Sequence, residues 1–404
     1  MKLRVVTLFS FLTEERSKEE ILNQLKIPEH LQRTFHPESY RIEDFSSDDF
    51  LIFFIGTGGT ENLFLNIFTA NDYSKPFILL SYHLNNSLPA AMEIRSFLQQ
   101  RGRKAKIFHG NFEDHAIRIR QWNDNIQILN KLSNAVIGMI GDSSPWLISS
   151  KINSQDIMKI WGTKIIHFSL NDLLSLNENN QQKSLNDMIQ GSKDIKIANE
   201  EVEKACKIAN MLKLFVKNND LDALTIKCFD LLEKSNITAC LGVSYLNNLG
   251  IPTGCEGDIP ATFSMLFLKY LTEMPSFMVN VIGLSSKNNT VDLAHCTVPT
   301  NMTESYLLET HFESNKSLGI KGEFKPDIDI TLFKIGGSSL TSWWVASGTI
   351  VKNLSLNSAC RTQIRVRLDF DVKYFLEENL SNHHLLVQGN YVQEIKAFFS
   401  FLDM

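Results

Sequence analysis

The stretch that most limits how this chain can fold is Phe50–Ile55, FLIFFI, which runs directly into Gly56-Thr57-Gly58-Gly59-Thr60-Glu61 and then an amphipathic segment over 62–68. Six consecutive apolar residues rich in β-formers suit a strand buried on both faces, and such strands belong to parallel sheets covered by helices. Strand, glycine turn and helix in succession form an α/β unit. The turn either offers the free N–H groups of the helix start to an anion or a hydroxyl, or is a tight turn and nothing more. It carries no Lys-Ser/Thr and no GxGxxG spacing, so a nucleotide site is the weaker reading.

The same succession recurs. Residues 3–8 read as a first strand; 77–81 read as another, leading through His83-Leu84-Asn85-Asn86-Ser87-Leu88-Pro89 to a helix over 90–100, with a further strand at 106–108. A second series begins at Val136 with VIGMIG and passes through Asp142-Ser143-Ser144-Pro145-Trp146-Leu147 into a helix, with a strand at 165–168. The polar run 171–200 reads as solvent-facing helix and loop inserted in this second series. Helical patterning returns over 200–216 and 239–246, around a short apolar run at 224–229. From about Val291 the texture changes to strands at 305–308, 328–335, 343–351, 363–368 and 384–387, as in a small antiparallel sheet or barrel, before a closing helix at 392–401. The fold class is therefore α/β: parallel-sheet domains over 1–133 and 134–290, then a β-rich, barrel-like domain over 291–404.

A length of 404 residues fits roughly two or three domains. The formal net charge of -5 gives no electrostatic ground for binding nucleic acid or an anionic membrane. The first residues, MKLRVVTLFSFLTEER, turn acidic without a small-residue cleavage site and read as a strand, not a signal peptide. No segment approaches the ~18 consecutive apolar residues of a membrane helix. Six cysteines scattered without a CxxC pair argue against a zinc finger or disulfide framework and for a reduced cytoplasm.

The chemistry concentrates between Gly250 and Pro299. Residues 259–274 are apolar nearly all round, so that helix is buried. Asp258 precedes it, with Pro260 in the first turn, an arrangement that suits an N-cap. Glu256, between Cys255 and Gly257, has no such explanation; a carboxylate there needs a charged partner or a metal to offset its desolvation. His295 lies in an apolar strand, either as a satisfied core residue or as a ligand. Asn382-His383-His384 leads into the last strand, and adjacent strand residues point to opposite faces, so at most one of the two histidines joins a given site. One carboxylate and two neutral imidazoles suit a divalent metal such as Mn²⁺, and a second carboxylate strengthens the set.

An ordered series of short motifs adds to this: TGGTE at 57–61, NNSLPAAMEI at 85–94, IGDSSPWLISS at 140–150, GCEGD at 254–258, FMVN at 277–280, AHCTVP at 294–299, HFES at 311–314, CRTQ at 360–363 and NHH at 382–384. In this order they resemble the L-fucose isomerase and L-arabinose isomerase superfamily over roughly the full length, and most closely its shorter bacterial fucose isomerase-like members. The resemblance implies two Rossmann-like domains and a β-rich C-terminal domain, assembled as a homo-oligomer, trimer or hexamer, with shared sites. It also implies isomerisation of an open-chain aldose or modified sugar through a cis-enediol, with Mn²⁺ or another divalent metal. Under it, Glu256, Asp258, His295 and one of the 383/384 pair, with His384 favoured, are the metal residues. Glu256, Asp258 and Glu313 are the catalytic candidates, and Asn86, Ser87, Trp146, Asn280 and His311 the substrate-binding ones.

The sequence also departs from the family pattern. The arabinose enzymes place a second catalytic glutamate in the segment where this chain has Asn280. The fucose enzymes place theirs near Thr238, with Glu233 close by. That leaves Asp258 or Glu313 to supply the missing carboxylate, Glu313 having a surface ion-pair reading as well. It also leaves a reading from another class, a sugar-binding or regulatory protein that keeps the fold without the base.

Overall fold

The computed structural model describes residues 2–402 apart from 43–45, 47–48, 71–72, 74 and 177–182, so the middle of the polar run lies outside the described residues. The chain divides into two compact units, one from 1–127 with 396–404 and the other from 128–395.

The first unit is built on five parallel strands in the order Gln32–Arg33, Leu3–Leu8, Phe50–Ile55, Phe77–Ser81 and Ala105–His109. Every residue of FLIFFI is buried. Leu51, Phe53 and Ile55 share one core with Phe64 and Ile67 of helix Glu61–Ala70 and with Ile94 and Leu98 of helix Ser87–Gln100. Each such side chain contributes roughly 1.5–3 kcal/mol by leaving water. The glycine turn packs against the turn before Ser87: the Gly58 N–H donates to the Asn85 carbonyl at 2.7 Å, and a Cβ on Gly58 would lie 2.8 Å from that of Asn86.

The second unit joins a parallel sheet to a barrel. The sheet runs in the order Thr253–Cys255, Ala223–Ile226, Val136–Ile140, Lys164–Phe168. The closed antiparallel barrel runs Phe277–Ser285, Thr290–His295, Thr362–Leu368, Ser342–Asn353, Asp329–Gly336, His384–Gln388 and back to the first. Its strands alternate, so that Val291, Leu293, Ile330, Leu332, Ile364, Val366 and Leu386 fall in one apolar core. Two expectations are corrected. The strand Ser305–Glu309 is not in the barrel but pairs with Asp194–Ile195 and Gly319–Glu323 in a separate sheet. The helix expected directly after Leu147 starts only at Ser154, where the Asn153 side chain accepts from the N–H groups of Gln155 and Asp156.

Helix Ile259–Thr272 ties sheet to barrel. Phe267 packs on Phe333 with ring centroids 5.2 Å apart, and the Ser264 hydroxyl accepts from the Ile335 N–H at 2.9 Å. The helix start is therefore fixed between the carboxyl end of strand Thr253–Cys255, the usual place for a ligand in an open α/β sheet, and the ends of two barrel strands.

Candidate active site

Glu256 leaves its strand in the left-handed region, with φ 64, and Gly257 follows at φ 66. A non-glycine residue held there is strained and persists only where its surroundings over-determine it. Here they do: the Ser144 N–H donates to the Glu256 carbonyl at 2.8 Å, and the Ser143 hydroxyl donates to that of Gly257 at 2.8 Å. A Cβ on Gly257 would come within 2.5 Å of the Asp142 carbonyl oxygen. The kink turns the Glu256 carboxylate toward the barrel ends, where Oε1 lies 3.6 Å from His383 Nε2 and Oε2 accepts from Trp146 Nε1–H at 2.6 Å.

Asp258 is the N-cap, as its position before the helix implied: Oδ1 accepts from the Ala261 N–H at 2.9 Å. Its other oxygen is 2.8 Å from His383 Nδ1 and 3.5 Å from the Ser150 hydroxyl. The carboxylate is wholly buried, with one oxygen on the helix cap and the other on His383.

His295 ends its strand beside this pair, its ring centroid 5.7 Å from that of His383 and its Nδ1 2.9 Å from the Thr297 hydroxyl. Glu256, His295 and His383 each bring one donor atom to within 4.8 Å of the others'. The histidine that joins them is thus His383, and the preference for His384 is corrected. His384 shares a strand face with Leu386 of the barrel core, and its Nε2 meets the Tyr374 hydroxyl at 3.1 Å. His383, one residue before the strand at φ 58, turns its ring instead toward Glu256 and Asp258.

The electrostatics follow from these contacts. Burial works against ionisation of Glu256, but His383, then Trp146 and His295, hold its carboxyl below the usual range. Burial opposes Asp258 likewise and is outweighed by Lys334 and His383. For His383 burial alone would lower the pKa; Asp258 and Glu256 push it up to about 9. His295 is held down to about 3, by burial first and then by the charge of His383. The set suits a cation: His383 Nε2 is buried without a hydrogen-bond partner, and its Nδ1 is committed to a carboxylate, the arrangement that presents an imidazole lone pair to a metal.

Around this group, Trp146 is 53% exposed and meets Phe229 edge-on at 5.0 Å. His311 is buried next to Phe229, its Nδ1 3.1 Å from the Ser314 hydroxyl and its Nε2 3.9 Å from Glu313. Burial and the Arg361 charge lower the His311 pKa to about 4. Glu313 is raised, by burial and then by the charge of Glu256. Thr238 is buried and donates to the Leu318 carbonyl at 2.5 Å, a packing role. Asn280 Oδ1 accepts from Asn382 Nδ2 at 2.6 Å. In the first unit Asn86 begins helix Ser87–Gln100 at φ 54. The Ser87 hydroxyl is fully buried, donating to the Ile55 carbonyl and accepting from the Tyr82 N–H, so it closes the turn. Lys334, missed in the sequence, is a wholly buried cation of this neighbourhood; a lysine inside the apolar run ITLFKI was the signal for it.

No family model matches the chain. Over 220 residues it is 23% identical to proteins named sulfoquinovose isomerase from Priestia aryabhattai and Priestia megaterium, covering 52% of this chain and 49% of each relative. Over 127 residues it is 27% identical to a sulfoquinovose isomerase of Clostridium sp. (strain MSTE9), covering 30% of this chain and 28% of the relative. The chain is similar, at low identity, to sugar isomerases. It spans about half the length of the first of these curated relatives.

Proposed function

We propose that this protein is a metal-dependent aldose–ketose isomerase acting on an open-chain sugar or modified sugar through a cis-enediol, as the motif resemblance to the L-fucose and L-arabinose isomerases implies. The observation that carries the reading is the group of partly buried Glu256 and buried His295 and His383, with an unpartnered His383 Nε2. Glu256, His295 and His383 would hold a divalent ion of the Mn²⁺ type. When bound, such an ion polarises neighbouring sugar oxygens and offsets the negative charge of an enediolate.

The chain's own side chains supply the rest. Asp258 keeps the His383 proton on Nδ1. Trp146 holds Glu256 with its N–H and offers its exposed ring face to the sugar, while His311 contributes to the wall beside Phe229. With Asp258 spent on the helix cap and His383, Glu313 is the remaining carboxyl to carry a proton between C1 and C2. Its raised pKa suits a group that must both take and give one. A homo-oligomer, trimer or hexamer, and a cytoplasmic setting belong to the same reading. They are supported by the motif resemblance and by six cysteines that form no disulfide. No described helix is long and apolar enough to cross a membrane.

The test is incubation of the Mn²⁺-loaded protein with a panel of aldoses headed by sulfoquinovose, for which the relatives are named, with ketose detected by NMR. Ketose formation abolished by a chelator is expected. Sugar binding without turnover of any sugar, with the ion demonstrably bound, would instead favour a sugar-binding protein that has lost the base.

A further inference from the structure

We infer that Lys334 and Asn280 are positioning residues for His383, fastening the turn 381–383 from opposite sides in the conformation that presents Nε2 to Glu256 and His295. The inference rests on the metal-site reading proposed above.

The turn cannot hold itself. Ser381 at φ 79 and His383 at φ 58 both occupy the left-handed region, where a residue with a Cβ is disfavoured and stays only under external constraint. The strand pairing that would supply such constraint starts one residue later, with Val279 opposite His384.

Lys334 constrains the turn from within. It lies on strand Asp329–Gly336, on the same face as Ile330 and Leu332 of the barrel core, and is fully buried. A buried ammonium needs compensating partners. The Lys334 Nζ donates to the carbonyl oxygens of Asn382 at 2.9 Å and His383 at 3.1 Å. Those carbonyls belong to the two peptide groups on either side of the His383 Cα, and the orientations of these groups define φ and ψ of that residue. A lysine serving only to balance the charge of Asp258 would have no need to grip both.

Asn280 constrains the turn from outside. It sits on the first barrel strand opposite Ala294, the neighbour of His295, and its side-chain oxygen takes the Asn382 amide at 2.6 Å. The strand that pairs with the His295 strand is thereby linked to the turn that carries His383. Lys334 and Asn280 thereby add to the Asp258 contact and the strand pairing in setting two candidate ligands from distant parts of the chain against one another.

The experiment strips the protein of metal and titrates Co²⁺ or Mn²⁺ into wild type, Asn280→Ala and Lys334→Met, reading affinity by calorimetry, the Co²⁺ absorption spectrum, and Tm of the metal-free forms. Partners that orient a metal-bound histidine typically change affinity about 10- to 100-fold when lost. Losses on that order are expected in both variants, with an altered Co²⁺ spectrum and, in Asn280→Ala, a metal-free Tm close to wild type. A merely structural role would lower the metal-free Tm and leave the affinity of folded protein unchanged. Wild-type affinity in Asn280→Ala overturns the inference even if Lys334→Met does not fold. If wild type takes up no divalent ion, the proposed function falls with it; if wild type binds and the variants bind equally well, only the positioning role falls.

Discussion

Asp258 carries two duties that the sequence sets against each other, helix cap and site residue. The geometry reconciles them, because one carboxylate oxygen serves the Ala261 N–H and the other serves His383. The consequence is a linkage between pH and stability in the metal-free protein. His383 holds its proton more tightly folded than unfolded, so its contribution is fully present below about 6.5 and is lost as pH rises through about 9. His295 is the opposite case. Depressed to about 3 when folded, it lets the unfolded chain take up a proton first, so stability falls as pH drops from about 6.5. Thermal melts of metal-free protein should therefore give a highest Tm near pH 6.5, and Asp258→Asn should flatten the alkaline side; a flat wild-type profile from 6.5 to 9 would contradict the His383 environment. Glu313→Gln separates proton transfer from metal binding. Turnover should fall by about 10²- to 10⁴-fold, the usual worth of a general acid or base, with Mn²⁺ affinity unchanged in a parallel titration. The choice between His383 and His384 was not legible in the sequence. The alternation rule for strands does not apply to a residue just outside one, and only the left-handed turn, fastened by Lys334, decides which ring reaches Glu256.

The elements were legible where burial alone decides them. FLIFFI, the strand at Val136 and the strand carrying Lys334 are apolar runs whose type follows from covering both faces or closing a barrel. Gly319–Glu323 was not, because GIKGE contains two glycines and little periodicity; only its register with Ser305–Glu309 makes it a strand. The first barrel strand, Phe277–Ser285, begins before the apparent change of texture, since FMV is as uniformly apolar as a parallel strand. The acid motif shows how an element end becomes a site. Strand Thr253–Cys255 stops, two left-handed residues follow, and helix Ile259–Thr272 starts, all pressed against the loop 142–144. Gly257→Ala adds a methyl against the Asp142 carbonyl at a positive φ. It should cost on the order of 1–3 kcal/mol, read as a lowered Tm, and should weaken metal binding by moving Glu256.

For the whole molecule, the candidate donors all lie in the unit formed by 128–395, although they are spread from Glu256 to His383 along the chain. An ion bound at about 100 times its Kd stabilises the folded form by about 2.7 kcal/mol. Hydrogen exchange should show that protection around residues 256, 295 and 383 and leave the strands of FLIFFI and its neighbours unchanged; protection spread evenly over both units would place the ion elsewhere. The general plan, parallel sheets followed by a barrel, was readable from hydrophobic runs, whereas the meeting of Glu256, His295 and His383 depends on barrel closure, which no local pattern encodes. The most direct test of the isomerase reading is isotope wash-in. The Mn²⁺-loaded protein is held with each aldose in deuterated water, and the sugar is examined by proton NMR. Loss of the C2 proton signal, dependent on the ion and abolished in Glu256→Gln, is the expected result. Retention of the C1 and C2 protons in every sugar, with Mn²⁺ bound at Glu256, His295 and His383, would contradict it.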